Sequence, residues 1–131
     1  MKKIFPIIIL FVLVSAANVM AQDKFANWPA LGDFHTVMSA TFHPAEKGNF
    51  APVKERSAEL ATKAVMLSKS IIPESYDQAK LQKVINALAS DTKALDKLVK
   101  KKSKDDVINK SLIAVHNRFH EIVGLCKDEA H

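Results

Sequence analysis

The sequence is poor in the residues that build covalent cross-links, turns and strands. Cys126 is the single cysteine among 131 residues, so no disulfide can form within the chain. Glycine is almost as rare, with Gly32, Gly48 and Gly124 the three in the chain. No stretch alternates apolar and polar residues with a period of two, so strands are not supported. These shortages favour an all-α fold without internal disulfides.

Long apolar runs are confined to the start of the chain. Lys2 and Lys3 precede an almost wholly apolar segment, 4–17, and small residues at 19–21 follow it. This order is typical of a secretory signal peptide, and the run is too short for a convincing membrane span. We therefore predict that residues 1–21 are cleaved, that the protein is periplasmic or secreted, and that it does not insert stably into a membrane. An uncleaved N-terminal anchor is the alternative.

A strong excess of one charge is also missing. Lys2 and Lys3 are two of the 19 basic residues, so 17 remain after cleavage against 14 acidic ones, a net of +3. Much of this charge lies in residues 100–104, at a predicted helix end where cations are favourable. Aromatic residues are scattered rather than interleaved with basic ones. No nucleic-acid partner is therefore predicted.

The mature chain does contain apolar residues at helical spacing. The clearest stripe runs along residues 103–126, where Ser103 and Asp106 have the form of a capping box. Three earlier helices are predicted over about residues 27–44, 51–70 and 77–102, the first ended or kinked by Pro44. The stripe of the last helix consists of Ile108, Leu112, Val115, Phe119, Ile122 and Cys126. Residues 22–131 are thus expected to form one domain, an antiparallel up-down-up-down four-helix bundle.

Two histidines lie one turn apart beside this stripe. His116 and His120 are four residues apart, a spacing at which two imidazoles on one helix can bind one metal ion. The first and fourth helices are neighbours in the predicted bundle. If Leu31 lies near Cys126, the register places His43 level with His116.

Two further residues extend this candidate site. His35 lies eight residues before His43, roughly 12 Å along a helix, so both cannot bind one ion without a bend. Glu46 follows His43 by three residues and joins the site if the chain past Pro44 folds back. The sequence therefore predicts a site for zinc, copper or another divalent transition-metal ion, formed by His43, His116, His120, Glu46 and His35.

Other interpretations stay open at this point. The HExxH motif of metalloproteases is absent because Asn117 occupies the glutamate position, so a dedicated enzyme is not predicted. The histidines can also be ordinary boundary residues of a structural or partner-binding bundle. Because Cys126 lies on the apolar stripe, we predict that its thiol is buried. The alternatives are that it binds a metal ion or that it pairs with the same cysteine of a second chain in a homodimer.

In length, export signal and predicted topology, the chain resembles the soluble periplasmic cytochromes of the four-helix-bundle type. These include the non-covalent b-type cytochrome and the cytochrome c-prime group. The resemblance implies a b-type haem electron carrier as an alternative function, with Met38 and His120 or His116 as axial ligands. The c-prime group attaches haem through CxxCH, whereas Cys126 stands alone here. Covalent haem is therefore excluded.

Overall fold

Four α-helices make up the part of the chain that the computed structural model describes, residues 25–128. They are α1 (Pro29–Glu46), α2 (Ala51–Lys69), α3 (Gln78–Lys100) and α4 (Asp105–Asp128). Residues 25–128 contain no strand. The predicted all-α four-helix bundle is confirmed. The predicted signal peptide, residues 1–21, lies outside the described residues.

Proline and aspartate set three of the helix starts. Pro29 begins α1 and Pro52 is the second residue of α2, positions where the missing N–H of proline has no helical partner to lose. Asp77 caps α3, since its Oδ1 accepts a hydrogen bond of 3.0 Å from the Lys80 backbone N–H. These local signals are readable in the sequence, and α1, α2 and α3 begin within two residues of the predicted positions.

The end of α1 differs from the prediction. Pro44 lies inside the last turn, and the helix continues to Glu46. A proline so close to the end removes a single helical hydrogen bond, which the short remainder of the helix tolerates. The Pro44 carbonyl also accepts hydrogen bonds from the backbone N–H groups of Lys47 at 3.0 Å and Asn49 at 2.9 Å. These bonds close the helix, and Gly48 supplies the positive φ of 82° that the turn requires.

The predicted capping role of Ser103 is wrong. Helix α4 begins at Asp105, and the Lys104 carbonyl accepts the first helical hydrogen bond, from the Ile108 N–H at 3.1 Å. The Ser103 N–H instead donates to the Leu98 carbonyl at 3.1 Å, which closes α3. Ser103 therefore belongs to the end of one helix rather than to the start of the next, because the tight turn leaves it too far back to cap α4.

Contacts between neighbouring helices run in opposite directions along the chain. Trp28, just before α1, donates from Nε1 to Oγ of Ser70, just after α2, at 3.0 Å. Ser57 near the start of α2 donates from Oγ to Oδ1 of Asp96 near the end of α3, at 2.8 Å. Such pairings indicate antiparallel neighbours, as the predicted topology requires.

An ion pair joins α3 to α4. Arg118 Nε donates to Asp91 Oδ2 at 3.0 Å, with both side chains about one-third exposed. Helical periodicity alone does not reveal that Asp91 contacts α4. A carboxylate at the border of a helix face has the same spacing whether it faces water or a neighbouring helix, so periodicity could not separate the two cases.

The core sits where the apolar stripes of the four helices meet. Five of the six predicted stripe residues of α4 are buried, and Cys126 is half-buried. The interfaces α1–α2, α2–α3 and α3–α4 are extensive, whereas α1 and α4 contact each other much less. Among residues 25–128, none of the helices has both the length and the apolar character that a membrane span needs. The α1–α4 interface, where neighbouring helices contact each other least, carries the four histidines of the predicted site.

Candidate metal site between α1 and α4

A cavity of about 210 Å³ lies in the α1–α4 interface. Its lining comprises His35, Met38, Ser39, Phe42 and His43 of α1 and His116, Phe119, His120, Val123 and Lys127 of α4. Residues three and four apart share a helix face, which explains why each helix contributes a continuous strip to the cavity. We call this space the histidine cavity. The structure thus brings all four histidines of the predicted site to one place.

The register between the two helices agrees with the one expected from the sequence. Leu31 and Cys126 line a common cavity, as assumed. The ring of Phe42, the residue before His43, stacks on His116. His43 and His116 both line the histidine cavity, as expected.

His116 and His120 are the closest pair in the histidine cavity. Their Nε2 atoms are 3.2 Å apart, and the ring planes make an angle of 78°. In the absence of a metal ion, one ring donates its N–H to the lone pair of the other. Two imidazole nitrogens bound tetrahedrally to one zinc ion, at about 2.0–2.1 Å each, would lie about 3.3 Å apart. The observed separation is therefore compatible with a metal ion bound by both nitrogens and with a hydrogen bond between them.

The ring of Phe42 covers one face of His116. The two ring centroids are 3.7 Å apart and the planes are within 6° of parallel. This burial lowers the pKa of His116, and the neighbouring His120 acts in the same direction. Glu46 opposes the shift and His43 adds to it, so both lie close enough to influence the His116 charge. The neutral imidazole, which is the form that binds metal ions, is thus favoured.

His43 is held by Glu46. His43 Nδ1 lies 3.0 Å from Glu46 Oε1, and the side chains are 68% and 52% exposed. Glu46 was expected to bind the ion directly if the chain past Pro44 folded back. The helix instead continues through Pro44, so the Glu46 carboxylate contacts His43 one turn away. Glu46 is a partner of His43 in this arrangement.

His35 occupies a different part of the histidine cavity. Its Nε2 shares a hydrogen bond of 3.2 Å with Ser39 Oγ, and its ring stacks on Phe119 with centroids 5.4 Å apart. A further ring contact, at 5.1 Å, joins it to Phe25. The ring of His35 therefore packs against Phe25 and Phe119 and makes its hydrogen bond to Ser39.

The predicted ligands therefore come together as pairs and not as one complete ligand set. Within residues 25–128, the His, Cys, Asp and Glu side chains form no group of three or more that is placed to hold a metal ion. His116 pairs with His120, His43 with Glu46, and His35 with the hydroxyl of Ser39. The geometry shows two imidazoles in contact on α4, with His43 of α1 lining the same cavity.

The haem ligands predicted from the cytochrome resemblance lie in the same cavity. Met38 is almost wholly buried, with 1% of its surface exposed, and His120 is engaged with His116. The space between the helices, about 210 Å³, is smaller than the roughly 300–1,000 Å³ of pockets for organic ligands. The haem alternative stays a prediction, and the bundle would have to open for it.

Cys126 lines a second, separate cavity of about 180 Å³ with Phe25, Trp28, Leu31 and Tyr76 among its neighbours. Burial raises the pKa of the Cys126 thiol to about 11. The thiol is therefore protonated at neutral pH, which suits a structural cysteine better than a metal ligand. This outcome agrees with the predicted burial, although the side chain is only half-buried.

Five residues of the histidine cavity lie outside the predicted ligand sets: Ser39, Phe42, Phe119, Val123 and Lys127. The aromatic signal was present in the sequence, since Phe42 precedes His43 and Phe119 precedes His120. Which imidazole each ring covers depends on packing between helices.

Comparison with protein-family models, with curated proteins and with solved structures finds no match to this chain. The resemblance to the bundle cytochromes therefore stays a prediction from architecture. The function has to be argued from the chemistry of the histidine cavity.

Proposed function

We propose that this protein binds a transition-metal ion in the histidine cavity, with His116 and His120 as the two anchoring ligands. The observation that supports this most directly is the 3.2 Å separation of their Nε2 atoms. This distance is close to the spacing of two nitrogens bound to one tetrahedral ion. Both residues lie on one turn of a continuous helix, so little rearrangement is needed for binding.

The chemistry of the donors favours zinc or copper. Imidazole nitrogens suit these ions, whereas magnesium and calcium prefer oxygen ligands. The low pKa of His116, caused by burial and by His120, keeps a lone pair available near neutral pH. Lys127 lines the same cavity and opposes the binding of a cation. We therefore expect specific but moderate affinity, suited to binding, storage or sensing.

The main competing explanation is an ordinary hydrogen bond between two neutral histidines. Isothermal titration of residues 22–131, stripped of metal by a chelator, with Zn²⁺ and with Cu²⁺ separates the two explanations. The informative variant is His116→Phe, because phenylalanine preserves the stack on Phe42 and removes both nitrogens. Asn117→Ala, an exposed neighbour on α4, is the matched control.

We expect one equivalent of ion to bind to the parent protein. Replacing a residue that only hydrogen-bonds to a metal ligand usually weakens metal binding about 10–100-fold. Loss of the ligand itself in His116→Phe should therefore weaken Zn²⁺ binding about 100-fold or more. Asn117→Ala should bind like the parent. A parent protein that binds neither ion would refute the proposal, and the bundle would then be studied as a structural or partner-binding module. Equal binding by His116→Phe would show that the ion binds elsewhere.

A further inference from the structure

The pairing of His43 with Glu46 determines which nitrogen of His43 is available. A carboxylate only accepts hydrogen bonds, so the Nδ1 atom 3.0 Å from Glu46 Oε1 must carry a proton and donate it. In the neutral ring the lone pair is then on Nε2. Histidine ligands of metal ions commonly donate their other ring nitrogen to a carboxylate, which orients the ring and makes it more basic. His43 already has the first half of this arrangement.

His43 lies close enough to His116 to influence its charge. His43 lines the same cavity as His116 and His120, but it belongs to α1. The stack of the preceding residue, Phe42, on His116 holds the two helices in register at this level. The His43 side chain is 68% exposed, so it can turn about its own bonds without disturbing the core.

We infer that His43 is the third ligand of the ion, through Nε2, and that Glu46 orients His43 without binding the ion. This inference rests on the proposed function above and specifies its site. His35 is the competing third ligand, but it would have to leave its ring stack on Phe119 and its hydrogen bond with Ser39. The exposed His43 has fewer contacts to lose.

A ligand set drawn from both end helices has a mechanical consequence. The ion joins α1 to α4 across the interface where neighbouring helices contact each other least. Binding therefore ties the two helices together and reduces opening of the bundle along this interface. An ion bound by His116 and His120 alone would leave α1 unaffected.

Hydrogen exchange of the α1 backbone measures this consequence directly. The parent, His43→Ala and Glu46→Gln proteins are each compared with and without saturating Zn²⁺, alongside titration of Zn²⁺ affinity. Glu59→Gln is the matched control, since Glu59 is another exposed glutamate in an i,i+3 pair, with Arg56 on α2. Exchange is followed at the amides of residues 35–43.

We expect Zn²⁺ to slow exchange along this segment in the parent and in Glu59→Gln. His43→Ala should still bind Zn²⁺ through His116 and His120, but about 100-fold or more weakly, as for loss of His116, and without protection of α1. Glu46→Gln should lose about 10-fold in affinity, as expected for an orienting residue. If His43→Ala binds with the parent's affinity and protection, the inference is overturned while the proposed function stands. A parent that takes up no Zn²⁺ overturns both.

Discussion

The ring of Phe42 on α1 lies flat against the imidazole of His116 on α4, with centroids 3.7 Å apart and planes within 6° of parallel. It is the closest ring contact among the described residues. The stack joins two helices whose backbones approach each other at few positions. It also shields one face of His116 from water, so one contact influences both the packing and the charge of the candidate site.

Replacing Phe42 by alanine should therefore change two quantities together. The pKa of His116 should rise towards its ordinary value of 6.5, because the burial that lowers it is reduced. The free energy of unfolding should fall by about 2 kcal/mol, less than the roughly 3–5 kcal/mol for a fully buried phenylalanine. NMR titration of His116 and chemical denaturation measure these effects. Phe50→Ala, also half-buried, is the control and should leave the His116 pKa unchanged.

The lowered pKa of His116 predicts how stability depends on pH. Between the folded pKa and the unfolded value of 6.5, the unfolded chain binds more protons, so the free energy of unfolding rises with pH. Acidification of the metal-free protein from about pH 7.5 to about pH 5.5 should therefore destabilise the fold. Urea unfolding at both pH values should show a smaller loss in His116→Phe. If the free energy of unfolding fell by the same amount in both proteins, His116 would not contribute to the pH dependence of stability.

The buried pair of Ser57 and Asp96 predicts a second pH effect. Burial raises the pKa of Asp96, but hydrogen bonds from Lys100 and Ser57 outweigh it, so the pKa lies below its ordinary value. Asp96 therefore stabilises the fold above the unfolded value near 4, and this stabilisation is lost as pH falls through the lower folded pKa.

Ser57→Ala removes one of these hydrogen bonds and should lower the free energy of unfolding by about 1 kcal/mol. The further loss of stability in acid should be smaller than in the parent, because the folded pKa of Asp96 then lies closer to its unfolded value. Denaturation between about pH 7 and pH 3 measures both effects. Ser68→Ala, on the same helix with a local hydrogen bond to the Val65 carbonyl, is the control. If both variants gave the same acid profile, the pairing would be energetically unimportant.

The raised pKa of Cys126 predicts slow alkylation. With a pKa of about 11 rather than 9.0, the thiolate fraction at about pH 8 is roughly a hundredth of that of an ordinary thiol. Iodoacetamide should therefore modify the native protein at least tenfold more slowly than the protein in guanidinium chloride, as followed by mass spectrometry. Native protein that reacts at the unfolded rate would contradict the buried position of the thiol. A slow reaction also predicts slow formation of a Cys126-linked dimer.

Lys127 predicts the sign of an electrostatic effect on metal binding. Its side chain lines the histidine cavity and repels a cation. Lys127→Gln should therefore tighten Zn²⁺ binding a few-fold, and the gain should shrink as salt is added because the residue is exposed. Lys110→Gln, exposed near the other end of α4, should have little effect. Unchanged affinity in Lys127→Gln would place the ion away from this end of the cavity.

Helical periodicity accounts for what was predicted correctly. The spacing of Ile108, Leu112, Val115, Phe119 and Ile122 predicted a buried face of α4, and all five are buried. The spacing works because a helix repeats every 3.6 residues wherever it occurs, so the buried face is a local property. Two further assumptions, antiparallel end helices and Leu31 lying near Cys126, were needed to bring His43 level with His116, and the two histidines do line one cavity.

The errors fall on residues whose surroundings come from elsewhere in the chain. Asp91 and Asp96 were not recognised as partners of Arg118 and Ser57, which lie 27 and 39 residues away. Glu46 was predicted to join the site if the chain past Pro44 folds back, whereas the helix continues to Glu46. A polar residue at the edge of a helix's apolar face occupies the same position in the sequence pattern whether it contacts water or another helix. Periodicity therefore cannot predict its partner.

By itself, the amino-acid sequence determined the four helices, their apolar faces and the pair of histidines one turn apart, because these depend on residues close together in the chain. The tertiary structure decided that Phe42 covers His116, that α1 and α4 leave a cavity between them, and that His43 lines this cavity with the pair on α4. These relationships depend on how closely the helices approach and how their side chains interlock. Such packing is set by all four helices together, since each helix can move only as far as its neighbours allow.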